Sequence, residues 1–78
     1  MNRDYGDANY STLRVEENLQ GYAGLELYRI RQGKKDRIAR VLFWDAAGQF
    51  FVETFEADVP LDILEAVIAE AKEKIKTS

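Results

Sequence analysis

Ile38–Phe55 reads IARVLFWDAAGQFFVETF, and this stretch decides the fold. Two apolar runs flank Asp45-Ala46-Ala47-Gly48-Gln49, where Asp45 can accept a backbone hydrogen bond and Gly48 can take the left-handed conformation. That turn predicts a β-hairpin with Asp45 opposite Gln49. Trp44 then faces Phe50, Phe43 faces Phe51, Leu42 faces Val52, Val41 faces Glu53, Arg40 faces Thr54 and Ala39 faces Phe55. Cross-strand partners share a face. One face is therefore expected to carry Ile38, Leu42, Trp44, Phe50 and Val52 with Arg40 and Thr54. The other carries Ala39, Val41, Phe43, Phe51 and Phe55 with Glu53. A one-residue slip exchanges the two sets and leaves both faces apolar.

Outward from the hairpin, the chain alternates in period two. Leu25–Arg31 (LELYRIR) predicts a strand, and Thr12–Glu16 a shorter one. Asn18–Gly24 carries two glycines and reads as a loop, and Gln32–Asp36 reads as a turn. Residues 1–11, rich in Asn, Asp, Gly and Tyr, read as a flexible N-terminal arm. The strands are thus expected at about 12–16, 25–31, 37–45 and 49–56. A helix follows over about 60–76, with Pro60 at its first position and Asp58 and Asp62 near its positive end. Lys72, Lys74 and Lys76 lie near its other end. Leu61, Leu64, Ile68, Ala71 and Ile75 form its apolar stripe, widened by Ile63 and Val67. The expected fold class is α+β: a three- or four-stranded antiparallel β-meander with a single C-terminal amphipathic helix packed on one face, all within residues 12–78.

One helix covers one face of such a sheet. The surplus set, Leu42, Trp44, Phe50 and Val52, is the candidate partner interface. Buried aromatics remove ~150–250 Å² each, so leaving this set in water would make an apolar patch that soluble monomers rarely keep without a use. Three coverings are open: a second copy of the chain, the N-terminal segment folded back, or a different protein or ligand. The 78-residue chain is one domain with a thin stability margin. It has no cysteine and no histidine, so disulfides, thiolate metal sites and the commonest acid–base and metal-ligating side chain are missing. A homodimer is the expected source of extra stability. The N-terminus has no apolar signal-peptide core, and no run approaches the ~20 apolar residues of a membrane span. A cytoplasmic protein that does not act on membranes is expected.

Net charge is −3, yet six of the eleven basic residues (Arg29, Arg31, Lys34, Lys35, Arg37 and Arg40) fall within twelve positions, opposed there only by Asp36. A basic two-stranded ribbon beside aromatics is a composition that binds single-stranded nucleic acid. The competing reading is a solvated strand end whose lysines guard an edge. The order strand, turn at Gly33-Lys34, strand, Asp45–Gly48 turn, strand, helix resembles the positive-cofactor-four-like group of single-strand DNA binders over Leu25–Ile75. That likeness implies nucleic-acid binding by a dimer. No motif specific to the group is present, and no residue role is carried over.

Catalysis has no candidate residues. Ser11, Thr12 and Thr54 have no base in the sequence, and Asp58 and Asp62 are explained by the start of the helix. Glu53, on an apolar face, reads either as a perturbed acid or as the partner of a cross-strand arginine. Gly33-Lys34 lacks the second glycine, the following hydroxyl and the helix of a phosphate loop. The first expectation is a small non-enzymatic interaction module without cofactor or metal, acting as a homodimer through an apolar sheet face, the C-terminal helix, or both. The alternative is a single-stranded nucleic-acid binder using residues 29–40.

Overall fold

The computed structural model describes residues 1–75 as one antiparallel meander with one helix. The strands are β1 (Asn2–Tyr5), β2 (Ala8–Glu17), β3 (Tyr22–Arg31), β4 (Lys34–Trp44) and β5 (Gln49–Thr54), paired in the order β1-β2-β3-β4-β5. The helix α1 (Leu61–Lys74) lies across β3 and β4. The class is α+β, with five strands rather than three or four. The predicted helix end at Lys76 lies outside the described residues.

The extra strand comes from residues 1–11, which are a hairpin and not a loose arm. Tyr5 pairs with Ala8 across the two-residue turn Gly6-Asp7. The alternation of β2 extends back beyond Thr12, so that Ala8 and Tyr10 are buried beneath the helix. Thr12 then ties strand to helix. Its hydroxyl donates to Glu70 Oε1 at 3.0 Å, and the same carboxylate accepts Lys74 Nζ at 2.9 Å and the Met1 ammonium at 3.1 Å. Desolvation pushes the Glu70 pKa up, but the hydrogen bonds from Lys74, the ammonium and Thr12 outweigh it and hold the carboxyl below its ordinary value.

Gly24 belongs to β3 and not to the preceding loop. A side chain there would place its Cβ 2.0 Å from the Val41 carbonyl oxygen and 2.8 Å from Leu42 Cα. Only glycine lets β3 and β4 close up, and Leu42 lies buried over the bare backbone. The turn to β4 is also tighter than expected. Only Gln32 and Gly33 lie outside the strands, with φ of 51° and 77°. Two consecutive positive φ values match the right-handed twist of the flanking strands. They suit Gly33 and strain Gln32.

The β4–β5 hairpin is slipped by one residue from the expected register. Trp44 pairs with Gln49, Phe43 with Phe50, Leu42 with Phe51, Val41 with Val52, Arg40 with Glu53 and Ala39 with Thr54. The turn holds four residues, Asp45–Gly48, closed by Gly48 N–H donating to the Trp44 carbonyl at 2.8 Å. Gly48 is left-handed as expected, with φ 65°. The added turn residue moves Phe50 and Val52 to the helix side, and Phe51, Glu53 and Phe55 to the other side. A second irregularity lies between β3 and β4. Leu27 pairs with Ala39 but Tyr28 with Arg37, leaving Ile38 as an extra residue. Such a bulge bends the strand and re-aims its side chain. Ile38 consequently enters the core beside Ala39 instead of joining Leu42 and Trp44.

The core is Ala8, Tyr10, Leu25, Leu27, Ile38, Ala39 and Val41 of the sheet against Ile63, Val67 and Ala71 of α1. Those helix residues, spaced by four, form one ridge laid on the sheet. The buried centre therefore runs through Ile63 and Val67, the margin of the expected stripe. Leu61 is about 200° round the helix from Ile63. It is 70% exposed and not part of the stripe. Pro60 flanks the helix rather than opening it, its carbonyl accepting the Leu64 N–H at 3.0 Å.

Candidate interaction surface

The face opposite α1 is built from the residues that alternate with the core. Register places them in rungs across β2, β3, β4 and β5. Tyr22 lies beside Trp44, with ring centroids 4.8 Å apart. The next rung runs Val15, Gly24, Leu42, Phe51, and the one after it Leu13, Glu26, Arg40, Glu53. Below them lie Ser11, Tyr28 and Arg37, with Phe55 against Arg37. One end of this face is therefore apolar and the other is charged and aromatic. Among the described residues, no element of the chain covers it. Leu13 is 55% exposed and Phe51 is 49% exposed. Two shallow hollows adjoin at the apolar end. One of about 320 Å³ is lined by Arg40, Leu42, Trp44, Phe51, Val52 and Glu53. The other, about 300 Å³, is lined by Trp44, Ala46, Ala47 and Phe51.

The sheet separates the four residues expected to form one interface. Leu42 and Trp44 are on the open face. Phe50 and Val52 are on the helix side, Phe50 packed against the core edge and Val52 45% exposed. Phe51 and Phe55 take their places. No local signal distinguishes a three-residue from a four-residue connection in DAAGQ, so the exchange could not be read from the residues alone.

The basic cluster is divided in the same way. Arg29, Arg31 and Lys34 lie on the helix side. Arg29 donates to the Asp58 carbonyl at 3.4 Å, Arg31 lies 3.3 Å from Asp7, and Lys34 lies 3.9 Å from Asp36. Lys35, Arg37 and Arg40 lie on the open face. Lys35 sits 4.7 Å over the Tyr28 ring. Arg37 pairs with Glu26 at 2.7 Å and lies 4.5 Å over the Phe55 ring. Arg40 pairs with Glu53 across the strands and approaches the rings of Tyr22 and Phe55. Glu53 thus meets the arginine that one of its two readings required. Apart from Asp36, the carboxylates come from the β1–β2 turn, β3 and β5, outside the basic run itself.

These contacts set the protonation of the face. Tyr28 Oη donates to Glu26 Oε1 at 2.8 Å. Desolvation acts to raise the Glu26 pKa, but the hydrogen bonds from Tyr28 and Arg37 and the charges of Arg37 and Arg40 bring it below the ordinary value. The same bond to Glu26 raises the Tyr28 pKa, since losing the proton would set two anions together. The face is held as a neutralised network with an apolar end.

The two sheet edges differ. β1 is four residues long and carries Arg3 and Asp4. β5 (QFFVET) has neither lysine nor proline and is exposed along nearly its whole length. Among the described residues, no helix is long and apolar enough to cross a membrane, and no three His, Cys, Asp or Glu side chains gather as a metal cage. No known protein family, curated protein or solved structure matches the chain.

Proposed function

We propose that this protein is a small non-enzymatic, cytoplasmic interaction module that acts as a homodimer, two copies meeting through the open sheet face. The observation that carries this reading is a five-stranded sheet covered on one side only, with Leu13, Tyr22, Trp44, Phe51 and Phe55 on the other. Three quantities support it. The two longest extents of the molecule, 38 and 21 Å, bound the face at about 800 Å², which is what each partner contributes to a standard interface. Phe51 at 49% exposure leaves about 100 Å² to water, worth about 2.5 kcal/mol per copy on burial. Lys35, Arg37 and Arg40 against Asp4, Glu17, Glu26 and Glu53 leave the face with a net charge of only −1, so a self-facing contact carries little repulsion.

The test is molecular mass in solution across a concentration series. The face-paired dimer has an expected mass of about 18 kDa, twice the 9.0 kDa chain, and Leu13→Lys or Trp44→Ala abolishes the face contact. A parent that stays at 9.0 kDa at every concentration refutes the reading.

A second reading, single-stranded nucleic-acid binding, is favoured by Lys35, Arg37 and Arg40 sharing a face with Tyr22, Tyr28 and Phe55. It requires those cations to leave Glu26 and Glu53. Lys35→Glu with Arg37→Glu then abolishes binding to an oligonucleotide, and affinity falls steeply with salt. Binding that is absent near physiological salt removes this reading.

A further inference from the structure

β5 is the last strand of the sheet, paired on one side only, with β4, among the described residues. Phe55 N–H donates to the Ile38 carbonyl at 3.0 Å. By strand alternation, Gln49, Phe51 and Glu53 also turn their backbone groups toward β4, and those of Phe50, Val52 and Thr54 point out of the sheet. An outward row of free N–H and C=O groups is a template for another strand, and natural sheets guard such edges with charge, proline, bulges or brevity. The opposite edge has that protection in Arg3, Asp4 and four-residue length. β5 has none except Glu53, whose carboxylate is engaged by Arg40.

We infer that β5 pairs antiparallel with β5 of a second copy, about a two-fold axis through Phe51. The occupant follows from the strand's own pattern. For a continuous sheet, open-face residues must lie opposite open-face residues, and outward backbone groups must meet outward ones. A two-fold axis at Phe51 satisfies both. It sets Phe51 against Phe51, and Phe50 against Val52 in each direction, with about four backbone hydrogen bonds between those pairs. Aromatic–aromatic and aromatic–β-branched pairs are favourable cross-strand neighbours. The two most exposed apolar side chains of the strand, Phe51 and Val52, are both covered. An axis at Val52 instead sets Phe51 against Glu53. The edge pairing leaves Leu13, Tyr22 and Trp44 of the open face uncovered, and an assembly using both contacts exceeds the mass of a face-paired dimer, about 18 kDa or twice the 9.0 kDa chain.

Residue-resolved amide exchange and solution mass test the edge pairing independently of the face contact. In the assembled parent, the Phe50 and Val52 amides are expected to exchange at least about 100-fold more slowly than free amides. They lose that protection on dilution or in Val52→Lys. This variant places charge on the edge and, with Val52 already 45% exposed, leaves the monomer's core intact. Its self-association weakens at least about tenfold, and Val52→Thr behaves as the parent. Fast exchange at Phe50 and Val52 in an assembled parent overturns the edge pairing and leaves the face contact standing. Loss of assembly in Val52→Lys but not in Leu13→Lys upholds the edge and removes the face. A parent that stays monomeric at every concentration overturns both.

Discussion

Adding a single methyl group in Gly24→Ala sets two effects against each other, and the structure decides the sign. Glycine inside a strand costs ~0.5–1 kcal/mol relative to alanine, because it loses more backbone freedom on folding. On that ground alone the substitution stabilises. The added Cβ, however, falls 2.0 Å from the Val41 carbonyl oxygen and 2.8 Å from Leu42 Cα. Ordinary C···O approaches across a sheet are ~3.3 Å or more, so β3 and β4 must part by about 1 Å. The obstacle is backbone, and no change of rotamer relieves it. Overpacking costs ~1–3 kcal/mol, and weakening about two ladder hydrogen bonds adds ~1 kcal/mol each. The net destabilisation is ~2–4.5 kcal/mol. A 78-residue chain has a total stability of about 4–12 kcal/mol. Urea unfolding followed by Trp44, the single tryptophan, reads the difference, with parent and variant at equal protein concentration since association shifts apparent stability. With a slope near ~1 kcal/mol/M, the midpoint drops by about 3 M or the variant fails to fold. A midpoint equal to or above the parent's refutes the close approach of β3 and β4 at Gly24.

Other consequences follow from single features of the fold. Gln32→Asn, at φ 51° beside Gly33, relieves a left-handed strain and stabilises by ~0.5–1 kcal/mol in the same unfolding assay. Leu27→Ala opens a cavity at a fully buried position between sheet and helix and costs ~2–5 kcal/mol by denaturation. The pKa shifts give stability two pH limbs. Glu26 and Glu70 titrate below their ordinary 4.5 in the fold, so their contribution is present above that value and disappears as pH falls through the folded pKa values. Tyr28 titrates above its ordinary 10.0, so its contribution is present below that value and disappears as pH rises through the folded pKa. Thermal melts between pH 2 and 6 should flatten in Glu70→Gln, and the alkaline limb should flatten in Tyr28→Phe.

Much of the local structure is legible residue by residue. The alternation in Leu25–Arg31, the Asp45–Gly48 turn with its left-handed glycine, and the four-spaced apolar residues of Ile63–Ile75 each announce their element. The first hairpin was legible too: Gly6-Asp7 is a two-residue turn signal, and Ala8, Tyr10 and Thr12 continue the period of β2. It was masked by polar composition, since Asn9 and Ser11 lie on the open face beside the buried positions. The interface set was less legible. One extra turn residue moved Phe50 and Val52 through the sheet, and one bulge turned Ile38 inward. Side-chain period two converts any such single-residue change into a change of face.

The sequence by itself determined that an antiparallel meander would carry apolar residues on both faces and that a single helix would cover one of them, because alternation and helical spacing are local properties. Only the tertiary structure decided which residues lie on the uncovered face, that β5 is an open edge among the described residues, and that three arginines of the basic run meet carboxylates from elsewhere in the chain. Arg31 meets Asp7, Arg37 meets Glu26 and Arg40 meets Glu53. Those partners are brought together by strand register, and register depends on how many residues each turn and bulge absorbs, not on any strand's own pattern.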